Sequence, residues 1–201
     1  TGLVFLPKDE KAQQEILAVM IEEIEREGLQ LMHMRSVPTC PEALGAAARE
    51  VEPEIKQIFI TSLSPTPSPM GEGSDFHQNE DISLNHKLYI IRKKIENRVA
   101  AMANSPLAHG RGDGGEAFDS FYICSLSNKN IIYKGMLTSV QLRRYFTDLS
   151  NPYFTSGLAL VHSRFSTNTF PKWKLAQPFR LLAHNGEINT IRGNRGWMKA
   201  R

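Results

Sequence analysis

Short apolar runs alternate with amphipathic stretches along this chain, and together they predict most of its elements. Residues 3–6 form an unbroken apolar run closed by Pro7, the pattern of a strand buried on both faces. Asp9 is placed to cap a helix in which Ile16, Leu17, Met20, Ile21 and Ile24 share one face, and Gly28 ends it. Residues 29–37 return as a strand, 41–50 read as a short alanine-rich helix, and 55–61 as a further strand with only partial alternation. Residues 62–81 are rich in Pro, Gly and Ser and predict a surface loop. Leu88, Ile91, Ile95, Val99 and Met102 then recur at helical spacing over 87–102, before a second Gly-rich loop at 104–115.

Downstream, residues 118–127 and 130–134 predict two strands joined by a tight turn at Asn128-Lys129. Thr138 caps a helix over 139–146, apolar strands are expected at 157–165 and 180–184, and a last helix begins near Asn189. No internal repeat is visible. Hairpin-paired strands with helices grouped between them favour an α+β architecture of largely antiparallel sheets over a doubly wound parallel one.

Composition narrows the function classes. The chain has 201 residues, 41% hydrophobic and 22% charged, and a formal net charge of +3, which is ordinary for a soluble globular domain. Its basic residues are scattered apart from Arg92-Lys93-Lys94 and Arg143-Arg144, so no basic stripe for nucleic acid or an anionic membrane is expected. Cys40 and Cys124 are far apart and outside any CxxC pair, which predicts reduced thiols and neither a disulfide framework nor a metal site. No apolar stretch approaches the ~20 residues of a bilayer span, and no signal peptide opens the chain. A cytoplasmic protein is expected, or a plastid one in a plant or alga.

Two segments carry the candidate chemistry. His162-Ser163-Arg164-Phe165-Ser166-Thr167-Asn168-Thr169-Phe170-Pro171-Lys172-Trp173 and His184-Asn185-Gly186-Glu187-Ile188-Asn189 each follow an apolar run, so each reads as a strand end opening into a polar loop. An arginine there can grip a free carboxylate through its guanidinium fork, although a buried arginine can equally pair with a core acid. A side-chain amide followed by a glycine N–H can hold the oxyanion of acyl transfer, although Asn-Gly alone is a common turn dipeptide.

The two segments resemble the glutamine-amidotransferase domain of glutamate synthase, a class II amidotransferase. Val4-Phe5-Leu6-Pro7, Glu27-Gly28-Leu29, Arg35-Ser36-Val37-Pro38 and the stretch 121–137 are similar to it as well. The resemblance implies the four-layer αββα sandwich of N-terminal-nucleophile hydrolases, incomplete at both ends. Residues 1–201 would then be part of a single domain with variable loops at 62–81 and 104–115. It implies that Arg164 binds the glutamine carboxylate, that Thr167 and Asn168 line the glutamine pocket, and that Asn185 and Gly186 form the oxyanion hole. His162 and His184 would support these groups through hydrogen bonds.

The resembled family uses an N-terminal cysteine whose own α-amine is its base, and here the first residue is Thr1. The segment is therefore expected to be internal and inactive by itself, with the cysteine upstream. Cys124, in an apolar strand, and Cys40, in a Pro-flanked loop, are not expected to replace it. The intact enzyme would hydrolyse glutamine to glutamate and pass ammonia to 2-oxoglutarate. NAD(P)H or ferredoxin would supply electrons through FMN and an iron–sulfur cluster held elsewhere, for neither of which this chain has a binding motif. Another class II amidotransferase and a catalytically dead glutamine-binding domain are the alternatives.

Overall fold

The computed structural model describes residues 1–62, 74–104, 118–163, 165, 170–180 and 191–200, with 74–82 and 191 described in their backbone alone. Four strands, β1 (Gly2–Leu6), β2 (Leu29–Ser36), β3 (Glu54–Ser62) and β4 (Tyr122–Leu126), form one antiparallel sheet in the order β2-β3-β1-β4. The α+β, antiparallel expectation holds for this sheet. The second sheet of a four-layer sandwich has no counterpart among the described residues.

β1 is buried along its whole length because both faces of the sheet are covered. On one face, Val4 and Leu6 pack with Ile16, Met20 and Ile24 of α1 (Glu10–Arg26) and Ile91, Ile95 and Val99 of α3 (Ser74–Ala103). On the other, Leu3 and Phe5 pack with Val37, Ile132, Tyr145, Phe146 and Trp173. That double burial is why the sequence shows a continuous apolar run instead of alternation. α1 starts as expected: the Asp9 carboxylate accepts the Ala12 N–H at 2.7 Å. It ends at Gly28, whose φ of +73° lies where only glycine is unstrained. The α1–α3 seam is closed by Glu23, which is buried and receives Arg98 at 2.6 Å and Arg26 at 2.7 Å. Burial alone would raise its pKa, yet those two arginines hold it below the ordinary carboxylate value.

Several expectations are corrected. α3 begins at Ser74, well before residue 87, so the later part of the 62–81 loop is helical. No Pro or Gly lies between Ser74 and Ala103 to stop the helix extending towards its N-terminus. Residues 41–50 split into a 3₁₀ turn, Pro41–Ala43, and the short α2, Ala46–Glu50. Ile21 is exposed, and Val19 takes its expected place in the core. Residues 130–134 form no hairpin with β4: they cross the second face of the sheet, where Ile132 and Lys134 are buried, and the Ile132 N–H goes to Ser125 Oγ at 3.1 Å. Residues 157–163 are not a strand, because no neighbouring strand among the described residues offers them a ladder; Leu158, Leu160 and Val161 are exposed. The expected strand at 180–184 and the loop at 104–115 fall largely outside the described residues.

The helix after Thr138 forms as read: α4 is Ser139–Tyr145, with the Thr138 N–H donating to Gln141 Oε1 at 2.8 Å. The last helix, α5, is Ile191–Ala200.

Candidate active site

Residues 170–180, which close the first motif and lead towards the second, reach the second face of the sheet through Trp173. Trp173 is buried edge-on against Phe5 with ring centroids 5.8 Å apart, its indole N–H donating to Ala48 O at 3.0 Å. Gly135 makes this packing possible: a methyl there would stand 2.7 Å from Trp173 Cε3 and nearer still to Cζ3.

Next to it, Lys134 is buried, with its ammonium 4.4 Å from the Tyr122 ring centroid and 4.9 Å from that of Phe179. Its Nζ donates to the Lys174 carbonyl at 2.9 Å. Two further lysines, Lys172 and Lys174, pair with Asp119, Lys172 at 3.1 Å. At the far end of the segment Arg180 donates to Ile123 O, pairs with Glu96 of α3 at 3.2 Å and lies 4.7 Å from the Tyr122 centroid.

A cavity of about 370 Å³ opens beside this segment, lined among others by Tyr133, Lys134, Leu142, Val161, His162 and Ser163. His162 and Ser163 are the residues that lead into Arg164, so one wall of the cavity is the approach to the first motif. Tyr133 is held from the other side: its hydroxyl donates to Asp148 Oδ2 at 2.9 Å, and Asp148 also receives the Arg35 guanidinium at 2.5 Å. Burial and the Asp148 carboxylate both push the Tyr133 phenol up, so it stays a neutral donor.

Arg164, Thr167, Asn168, Asn185 and Gly186 all lie outside the described residues, as does His184. The structure does bear on the cysteines. Cys124 is fully buried in β4, and burial pushes its thiol up to about 12, the opposite of what a nucleophile needs. Cys40, half-buried at the start of the 3₁₀ turn, donates to Glu42 Oε2 at 3.2 Å. Thr1 exchanges backbone hydrogen bonds with Ser127 at 3.0 and 2.9 Å and so adds a rung to the sheet. No group of three or more metal-ligating side chains occurs among the described residues, and two separated cysteines do not make a cluster-binding set. No helix among the described residues is long and apolar enough to cross a membrane. Of the basic run, Arg92 pairs with Glu96 at 2.9 Å and Lys94 with Glu27 at 2.6 Å.

Lys134, Gly135 and Arg180 were not among the residues the sequence singled out. Lys134 had a signal: it is the one charge within Ile131-Ile132-Tyr133-Lys134-Gly135-Met136-Leu137, and a lone charge in an apolar run needs a partner. Its desolvation lowers its pKa from the ordinary 10.5 to about 8. Between those two pH values the unfolded chain binds more protons than the folded one, so folding strengthens as pH rises through that window. Relative to Lys134→Met, the wild-type protein is expected to gain stability from pH 8 to 10, read as the difference in denaturant midpoint; a difference that does not change with pH would contradict this.

The class of protein follows from comparison with known families. The class II glutamine amidotransferase family model matches residues 1–201, and the chain belongs to that family. Within it, the similarity is to glutamate synthases. The chain is 39% identical over 200 residues to the chloroplastic ferredoxin-dependent glutamate synthase of Spinacia oleracea, covering 100% of this chain and 11% of that protein. It is 42% identical over 200 residues to the glutamate synthase [NADPH] large chain of Azospirillum brasilense and 40% to that of Bacillus subtilis, with 99% and 100% of this chain and 11% of each relative covered. The chain thus spans 11% of the length of these relatives.

Proposed function

We propose that residues 1–201 are part of the single glutaminase domain of a glutamate synthase, in which glutamine is hydrolysed to glutamate and ammonia. The match of the whole chain to the class II family carries this reading. In it, Arg164 holds the α-carboxylate of glutamine, Thr167 and Asn168 line the pocket, and Asn185 and Gly186 donate to the oxyanion. A cysteine thiolate attacks the carboxamide carbon, ammonia leaves, and water opens the thioester to release glutamate. The burial of Cys124 and its raised pKa support a nucleophile other than that thiol. The described sheet is one of the two in a four-layer αββα sandwich. Ammonia then meets 2-oxoglutarate, and electrons from NADPH or ferredoxin arrive through FMN and an iron–sulfur cluster held in the rest of the enzyme.

Glutamine hydrolysis by the full-length protein tests this reading. Arg164→Ala is expected to raise KM for glutamine roughly thirtyfold or more, the cost of removing one partner from a desolvated charge pair, with a much smaller change in kcat. An unchanged KM would remove Arg164 from the substrate site.

A further inference from the structure

Lys134 is a buried amine without a counter-ion. It is 2% exposed, and its ammonium lies over the rings of Tyr122 and Phe179. Among the described residues its one hydrogen bond goes to the Lys174 carbonyl at 2.9 Å, and no carboxylate there pairs with it. The charge that does act on it is a second cation, Arg180, whose guanidinium lies 4.7 Å from the same Tyr122 centroid. Arg180 faces Glu96 at 3.2 Å, but Glu96 already serves Arg92 at 2.9 Å. The other titratable neighbours, Cys124 and Tyr122 on β4, are kept neutral by burial. A buried cation left in this position gives up its proton readily, and the free amine is a nucleophile.

The same residue lines the cavity of about 370 Å³. Thr138, Ser139 and Ser163 stand in the cavity wall, and among the described residues no acid does. Nucleophile, space and positive surroundings therefore meet at one place, and together they favour a reagent that turns the amine into an anion.

We propose that Lys134 is a site of reversible carbamylation, at which this chain binds carbon dioxide. The lone pair of the uncharged amine attacks the carbon of CO2 and forms the N–C bond, while one C–O π pair moves onto oxygen. The ammonium proton and one amine proton pass to water. The net step converts the ammonium and CO2 into a carbamate anion and two protons, with no oxidant or reductant. Repulsion between Lys134 and Arg180 then becomes attraction, and the carbamate oxygens can accept from the guanidinium and the wall hydroxyls. Carbon dioxide suits the place because it is small and uncharged, so entering a buried cavity costs it little solvation. Carbamylation of Lys134 holds or fails independently of glutamine hydrolysis.

The test uses the full-length protein in carbon-13-labelled bicarbonate at about pH 8, where dissolved CO2 is present and much of the Lys134 amine is free. The carbamate is trapped by O-ethylation with triethyloxonium and located by mass spectrometry of the peptides. An ethoxycarbonyl group is expected on Lys134 at an occupancy at least about tenfold above that of the exposed Lys129 and Lys172. Arg180→Met is expected to lower that occupancy about tenfold, the effect of removing one nearby opposite charge, whereas Arg180→Lys should retain it. Protection of the β1 amides from hydrogen exchange confirms that each protein is folded. Label confined to chain-terminal amines, or spread evenly over the surface lysines, would overturn the proposal. So would a folded wild-type protein with Lys134 unlabelled, or unchanged occupancy in Arg180→Met.

Discussion

Asn185→Ala in the full-length protein is expected to lower kcat for glutamine hydrolysis about 100- to 1000-fold while leaving KM nearly unchanged. The carbonyl of a bound carboxamide carries little charge, so an amide N–H aimed at it contributes little to binding. As the thiolate adds, negative charge builds on that oxygen, and a fixed donor in a site shielded from water stabilises it by about 3–4 kcal/mol. The loss therefore falls on turnover. The paired expectation for Arg164→Ala is the reverse, because the α-carboxylate is charged from encounter to product and its grip is the same throughout. If both variants change KM and kcat in the same proportion, the division of roles between the two motifs is wrong. If Asn185→Ala turns over normally, the oxyanion is held by other groups.

The second large effect is structural. Phe5→Ala is expected to destabilise the domain by about 3–5 kcal/mol, the range for emptying a buried aromatic site. Phe5 is fully buried at the centre of the second face, touching both Tyr122 and the edge of Trp173. Few of its neighbours can move into the space: β1 is hydrogen-bonded on both sides, to β3 and to β4, and Trp173 is pinned by its bond to Ala48. The cavity would stay open. Amides of β1 that exchange only through global opening should then exchange at least a hundredfold faster, and Phe5→Leu should recover most of the loss. Unaltered exchange would mean that the second face is not held together through this residue.

What could be read from the chain depended on whether the governing interactions were local. The caps of α1 and α4, the glycine that ends α1, and the buried character of β1 were legible because an N-cap, a left-handed C-terminal residue and an apolar run are each decided within a few positions. The family was legible because its motifs are contiguous in the sequence. The misses share a different cause. Residues 130–134 have the β-branched and aromatic content of a strand, but their backbone crosses a sheet face that Trp173 and Tyr145 also occupy, and no pattern along the chain encodes that crowding.

The sequence by itself determined that this is an antiparallel α+β chain of the class II amidotransferase family, since strand and helix periods, caps and contiguous motifs are properties of neighbouring residues. Only the tertiary structure decided the strand order β2-β3-β1-β4, the burial of Lys134 between Tyr122 and Phe179, and the seating of Trp173 on Gly135. These join residues separated by dozens of positions, and what selects them is the exclusion of water and of overlapping atoms in three dimensions, which local order along the chain does not specify.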